Sequence, residues 1–181
     1  MLLVVIIISV FVLYKYSQYA SKRQVVYDAR KEMATPLLDI YRQAISAYNF
    51  LTKWYKSTIE NKIPEGDVRN ISRLMNILDQ QIPKAVSALE NSDPIKQFDG
   101  FHRGFDCNGP NAIITCVKYF LDCYPEYTST QEFSNAIACY QKMLNDIQVY
   151  NSFIYNYNSI VTSKGYDIVA PSGALKPLSV D

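Results

Sequence analysis

The sequence predicts an all-α protein: an antiparallel four-helix up-and-down bundle with long first and last helices, the first continuous with an N-terminal transmembrane anchor. Three observations predict it. The opening run MLLVVIIISVFVLY contains no charged side chain. Beyond it, apolar residues recur at steps of three and four through four segments parted by breakers. Glycine is scarce, six residues against fifteen tyrosines in a chain of 181, a balance that suits packed helices better than a loop-rich binding module.

The anchor comes first. At about 1.5 Å per residue the charge-free run covers roughly 21 Å, less than a hydrocarbon core of ~30 Å. Extension through Lys15, whose stem can snorkel, to Ala20 gives a segment that spans. A cleaved signal peptide is the rival reading; nothing basic precedes Leu2, and SQYA is a poor cleavage site. Lys15, Lys22, Arg23, Arg30 and Lys31 follow the apolar run, so the positive-inside rule puts the bulk of the chain in the cytoplasm of a single-pass cell-membrane protein. The division is then residues 1–20 as anchor, 21–165 as bundle and 166–181 as an irregular C-terminal tail with too many breakers to fold alone.

In the first helix, from Ser21 to about Lys62, Leu37, Ile40, Ala44, Ala47, Leu51 and Trp54 form the seam, and Pro36 is expected to bend it. After KIPEGD a second seam follows: Val68, Ile71, Met75, Leu78, Ile82, Ala85 and Leu89, with a kink expected at Pro83. NSDP closes it, and IKQFDGFHRGFDCNGP reads as an irregular connection. A short third helix from about Asn111 to Cys123 carries Ile113, Val117, Phe120 and Tyr124 on one side. YPEYTST turns the chain, with Ser129, Thr130 or a neighbour capping the next helix.

The fourth helix is the most regular. Phe133, Ile137, Tyr140, Leu144, Ile147, Asn151, Ile154, Asn158 and Val161 form its seam, with Ala136, Met143, Tyr150 and Tyr157 as a second stripe. Two asparagines thus occupy positions where aliphatic residues are expected. The reading is that they point inward and fix register against the first helix, near Val26, Ala29, Met33 and Pro36, where a proline leaves a carbonyl without its usual partner. Lys164-Gly165 ends the helix, glycine suiting the left-handed cap.

With these segments placed, the chain resembles the LemA family of membrane-anchored bacterial helical proteins. Tyr124, Pro125, Glu126, Tyr127 and Phe133 fit the family's Tyr-Pro-Glu-Leu, five residues, Phe pattern. Tyr150, Asn151, Tyr157 and Asn158 match its paired Tyr-Asn, followed by Ile160, Gly165 and Ala170; near the anchor, Tyr16, Val26 and Ala29 fit as well. The family's basic Gln-Leu-Lys-Arg-Arg and Asp-Leu-Ile-Pro-Asn-Leu stretches are missing from ATPLLDIYRQAISAYNFL, and its pattern lacks the glycine-rich connection. The resemblance implies the fold and a membrane setting, without a defined activity. Some relatives are associated with magnetosome membrane formation, which makes membrane organisation the concrete option.

Chemistry-bearing groups are sparse. Asp99, His102, Asp106 and Cys107 could bind a metal or support nucleophilic chemistry, yet a connection holding the chain's single histidine reads better as solvated loop. Cys107, Cys116, Cys123 and Cys139 show no CxxC pair; free, buried thiols are expected, with two disulfides open to them if the domain lies outside the cell. Eighteen basic against seventeen acidic residues give a net charge of +1 and no pull toward nucleic acid. The expectation is a non-enzymatic scaffold or interaction protein without cofactor, its partners the bilayer and other membrane proteins or further copies of itself. A sensory or regulatory subunit switched through the first helix is the alternative, and an enzyme using the His102 loop stands behind that.

Overall fold

Helix α1, Leu2–Ile59, runs for 58 residues without interruption, about 87 Å at 1.5 Å per residue. It belongs to a computed structural model that describes residues 2–59, 64–89, 109–166, 168–170 and 173–178. Among the described residues three further α-helices follow: α2 (Glu65–Leu89), α3 (Gly109–Cys123) and α4 (Gln131–Val161), with a 3₁₀ turn at Pro125–Tyr127. Among the described residues there is no strand.

The first helix changes character along its length. From Val4 to Tyr16 its large apolar side chains stand open, Leu13 being 67% exposed. This stretch makes α1 long and apolar enough to cross a membrane by length and composition. From Val26 onward one face closes: Ala29, Met33, Leu37, Ile40, Ala44, Ala47, Leu51 and Trp54 are all buried, at the expected helical spacing. Pro36 lies inside α1, and the helix passes through it. Pro83 lies inside α2 in the same way.

Most of that buried face meets α4. Near the start of α4, Lys53 Nζ lies 3.2 Å from Glu132 Oε1. Its own backbone N–H, and then Lys53, hold the Glu132 carboxyl below the usual range. Beyond the far end of α4, Lys22 Nζ donates to Gly165 O at 3.1 Å. α2 packs beside α1 through Ile71, Met75, Leu78 and Ile82, which are buried, and through a Tyr55–Ser72 hydroxyl contact of 2.7 Å and the Tyr48–Asp79 pair. α3 closes on α2, where Cys116 Sγ donates to Leu74 O at 3.6 Å.

Three expectations need correction. The buried stripe of α4 comprises Phe133, Ala136, Met143, Ile147, Tyr150, Ile154, Tyr157 and Val161. The core face is therefore turned toward the tyrosine stripe, and Asn151 and Asn158 fall on its flank, half-buried. Ile137, Tyr140 and Leu144 are left half-buried beside that face. Second, Cys116 is buried, but Cys123, the last residue of α3, is exposed and Cys139 on α4 is half-buried. Third, Thr130 occupies the N-cap position of α4 without capping it. Its hydroxyl donates instead to Tyr127 O at 2.8 Å, stabilising the 3₁₀ turn.

Candidate functional site: an asparagine ladder

Asn151 and Asn158 read the backbone of the last described segment. Asn151 Nδ2 donates to Leu178 O at 2.9 Å, and Leu178 N donates back to Asn151 Oδ1 at 2.9 Å. Asn158 repeats the arrangement one step along: Nδ2 to Leu175 O at 2.7 Å, and Leu175 N to Oδ1 at 2.7 Å. A carboxamide is suited to this task, since it carries a donor and an acceptor side by side. Each asparagine therefore saturates one residue of the segment, with no demand on that residue's side chain.

The spacing explains why the two amides lie seven residues apart. Seven residues of α-helix advance about 10.5 Å. Three residues of an extended polyproline-type chain advance about 9.3 Å and return to the same side. Leu175 and Leu178 are three residues apart and both face α4 through their backbones. Pro177 suits such a segment, because it fixes its own φ and pushes Lys176 toward extended conformations. Leucine side chains at 175 and 178 are half-buried against the core cluster.

The energetics put this strap near balance. Four hydrogen bonds contribute roughly 2–6 kcal/mol, against roughly 4–8 kcal/mol for ordering four residues of backbone. Partial burial of two leucines, on the order of 1 kcal/mol each, offsets most of the remainder. The segment is held by little net free energy.

Beneath the ladder the wall is firm. Tyr150 and Tyr157 are buried, and burial pushes both phenols above their ordinary range. Among the described residues the enclosed Tyr157 hydroxyl has no hydrogen-bond partner. Between the ladder and the open apolar stretch of α1, Gly165 adopts a φ of +83°, and Lys22 Nζ lies on its carbonyl and 5.2 Å from the centre of the Tyr166 ring. A Cβ on Gly165 would displace the mobile tip of Lys22 from the carbonyl, but the positive φ is what selects glycine there.

The other motif residues assemble elsewhere. Trp54 is surrounded by Tyr127 at 4.9 Å, Phe133 at 5.3 Å, Phe120 at 5.6 Å and Tyr124 at 6.2 Å between ring centres, mostly edge-on. Tyr124 is buried and its phenol is pushed to about 12, burial being the main cause. Pro125 and Glu126 are exposed on the turn that delivers these rings. The structure thus brings Tyr124 and Phe133 together at one end of α4, and Tyr150, Asn151, Tyr157 and Asn158 at the other. Asp99, His102, Asp106 and Cys107 lie outside the described residues.

Sequence reasoning missed Leu175 and Leu178. Their three-residue spacing, matched to a seven-residue spacing of amides on a helix, is the signal that could have found them. No family model, curated protein or solved structure matches the chain.

Proposed function

We propose that the chain is a non-enzymatic, membrane-anchored helical scaffold of LemA type, an antiparallel up-and-down bundle held at the cytoplasmic face by one transmembrane segment. The observation that carries this reading is α1 itself. Its open apolar stretch continues, without a break in the helix, into the face that packs the core. A helix apolar all round with no protein against it needs a lipid environment. Basic residues Lys15, Lys22 and Arg23 follow directly, as the cytoplasmic side of a span requires. The opposite ends of α4 touching Lys53 and Lys22 support the antiparallel arrangement. What the fold offers outward is surface: a ladder that binds peptide backbone, and long helices to carry it.

Flotation of the full chain with phospholipid vesicles tests the reading. The protein is expected at the top of the gradient with vesicles, and to stay there in high salt. Recovery in the soluble fraction without detergent overturns the anchor.

A further inference from the structure

The amide ladder has the features of a receptor as well as those of a staple. Both asparagines engage only backbone N–H and C=O groups of Leu175 and Leu178. Any copy of this segment presents the same groups at the same spacing. One ligand is therefore known to fit in full, the segment Leu175–Leu178. We propose that the ladder is an exchange site, taking this segment from a second copy of the chain in place of its own.

Three observations support exchange. The strap ends a stretch rich in breakers, with Gly165 at φ +83° and Gly173 at φ +60°. A Cβ at Gly173 would meet nothing within 4 Å, so no described side chain packs over that point of the strap. The backbone is tied by turns as far as Ala170, whose N–H donates to Tyr166 O at 3.0 Å. From there, the arm to Leu178 can reach roughly 26–29 Å at 3.3–3.6 Å per residue, enough to cross a neighbouring pair of helices about 10–12 Å wide each. Swapping an identical element between copies costs little, because each hydrogen bond broken within one molecule re-forms between two. In cis the short linker gives the strap an advantage in effective concentration. Here the inference rests on the scaffold reading in one respect: anchors confine copies to one plane in one orientation, which raises the concentration of competing straps. The surface so formed would link copies side by side.

Complementation between two damaged full-length chains, reconstituted together in phospholipid vesicles and briefly cross-linked before detergent capture, tests the proposal. One chain carries Asn151→Asp and Asn158→Asp, which removes both amide donors and sets a carboxylate against each Leu carbonyl while leaving the strap intact. The other carries Leu175→Pro and Leu178→Pro, which removes both backbone donors, keeps an extended strap and leaves the ladder intact. Each chain has a different tag. Mixed together, they have one intact ladder and one intact strap on different molecules. Capture of one by the other is expected at least tenfold above either chain mixed with its own kind. A synthetic peptide of residues 173–181 in millimolar excess, added before cross-linking, should prevent it. No capture in the mixture overturns the proposal, as does equal capture in all three mixtures, which would assign pairing to the anchors. Binding of the peptide to the strap-damaged chain without capture in the mixture also overturns it, since the ladder would then take a free segment and not a second copy. If the Asp variant loses helical circular dichroism, Asn151→Leu with Asn158→Leu replaces it under the same criteria. A chain that floats with vesicles but fails this pairing loses only the exchange; one that pairs but does not float loses only the anchor.

Discussion

The two ends of α4 solve the same problem, holding a neighbouring segment in place, by opposite means. Around Phe133 the contact is dry and shape-dependent. Trp54 is buried among Tyr124, Tyr127, Phe120 and Phe133, and no smaller side chain fills that volume. Around Asn151 and Asn158 the contact is half-open and polar, and reads only backbone. Labour is divided along one helix. Aromatic packing specifies which fold forms; paired amides hold a chain segment without specifying its side chains, and are expected to release it without unfolding the rest.

The greatest loss should come from breaking the aromatic end. Trp54→Ala should cost about 3–5 kcal/mol, the usual range for a fully buried large aromatic, seen as a lower midpoint for the whole helical signal in denaturant. A loss below about 1 kcal/mol would mean the ring cluster is loosely packed.

Gly165→Ala comes next. Its φ of +83° disfavours a side chain, and Lys22 must leave the carbonyl to make room. The expected loss is about 1–2 kcal/mol. Pairing the change with Lys22→Ala separates the causes: if the substitution then costs nothing, steric conflict and not backbone strain is responsible.

Asn151→Ala should cost about 1 kcal/mol or less, since the strap residues it exposes can turn to water. Its signature is local. The strap should become sensitive to protease while the helical melt hardly moves. A cost comparable to Trp54→Ala would abolish the contrast between the ends.

How much of this was legible in the sequence varies by residue. Leu37, Ile40, Ala44, Ala47, Leu51 and Trp54 were placed on the buried face of α1 by spacing alone, and all six are buried. The same holds for Ile71, Met75, Leu78 and Ile82 in α2, and for Ile113, Val117 and Phe120 in α3. Periodicity works there because each helix offers one apolar stripe. α4 offers two adjacent stripes, and unbroken steps of three and four make the one holding Asn151 and Asn158 the seam, with the tyrosine stripe beside it. Tyr150 and Tyr157 decide the matter, and a tyrosine carries no sign of which way it faces. The partner of the ladder was hidden for a different reason. Leu175 and Leu178 lie 17 and 27 residues from the asparagines they bind, in a segment with no periodicity of its own. Only the match between two advances, one helical and one extended, links them.

Titrations bring the slightest changes and leave stability nearly untouched at neutral pH. Tyr124 has a folded pKa raised from 10.0 to about 12. A raised value means its neutral form stabilises the fold below about pH 10, and that contribution is lost as pH rises through about 12. Absorbance at alkaline pH should therefore show the Tyr124 ionisation delayed beyond the ordinary phenol range, and a Trp54→Ala chain should lose part of the delay. Among thiols, burial pushes Cys116 to about 11, whereas Cys123 is exposed. Alkylation near pH 8 should modify Cys123 within minutes and leave Cys116 intact until the chain unfolds.

Native-state hydrogen exchange at Leu175 and Leu178 sets the two kinds of contact side by side in one experiment. Both amides donate to asparagine oxygens, so both should exchange more slowly than an unstructured chain, yet far faster than Met143 or Ile147 in the packed part of α4. In an Asn151→Leu, Asn158→Leu chain, which has no acceptor for either N–H, their protection should vanish while that of Met143 and Ile147 persists. Unprotected amides at 175 and 178 in the native chain, or protection lost only together with the core, would rule out a strap that opens independently of the bundle.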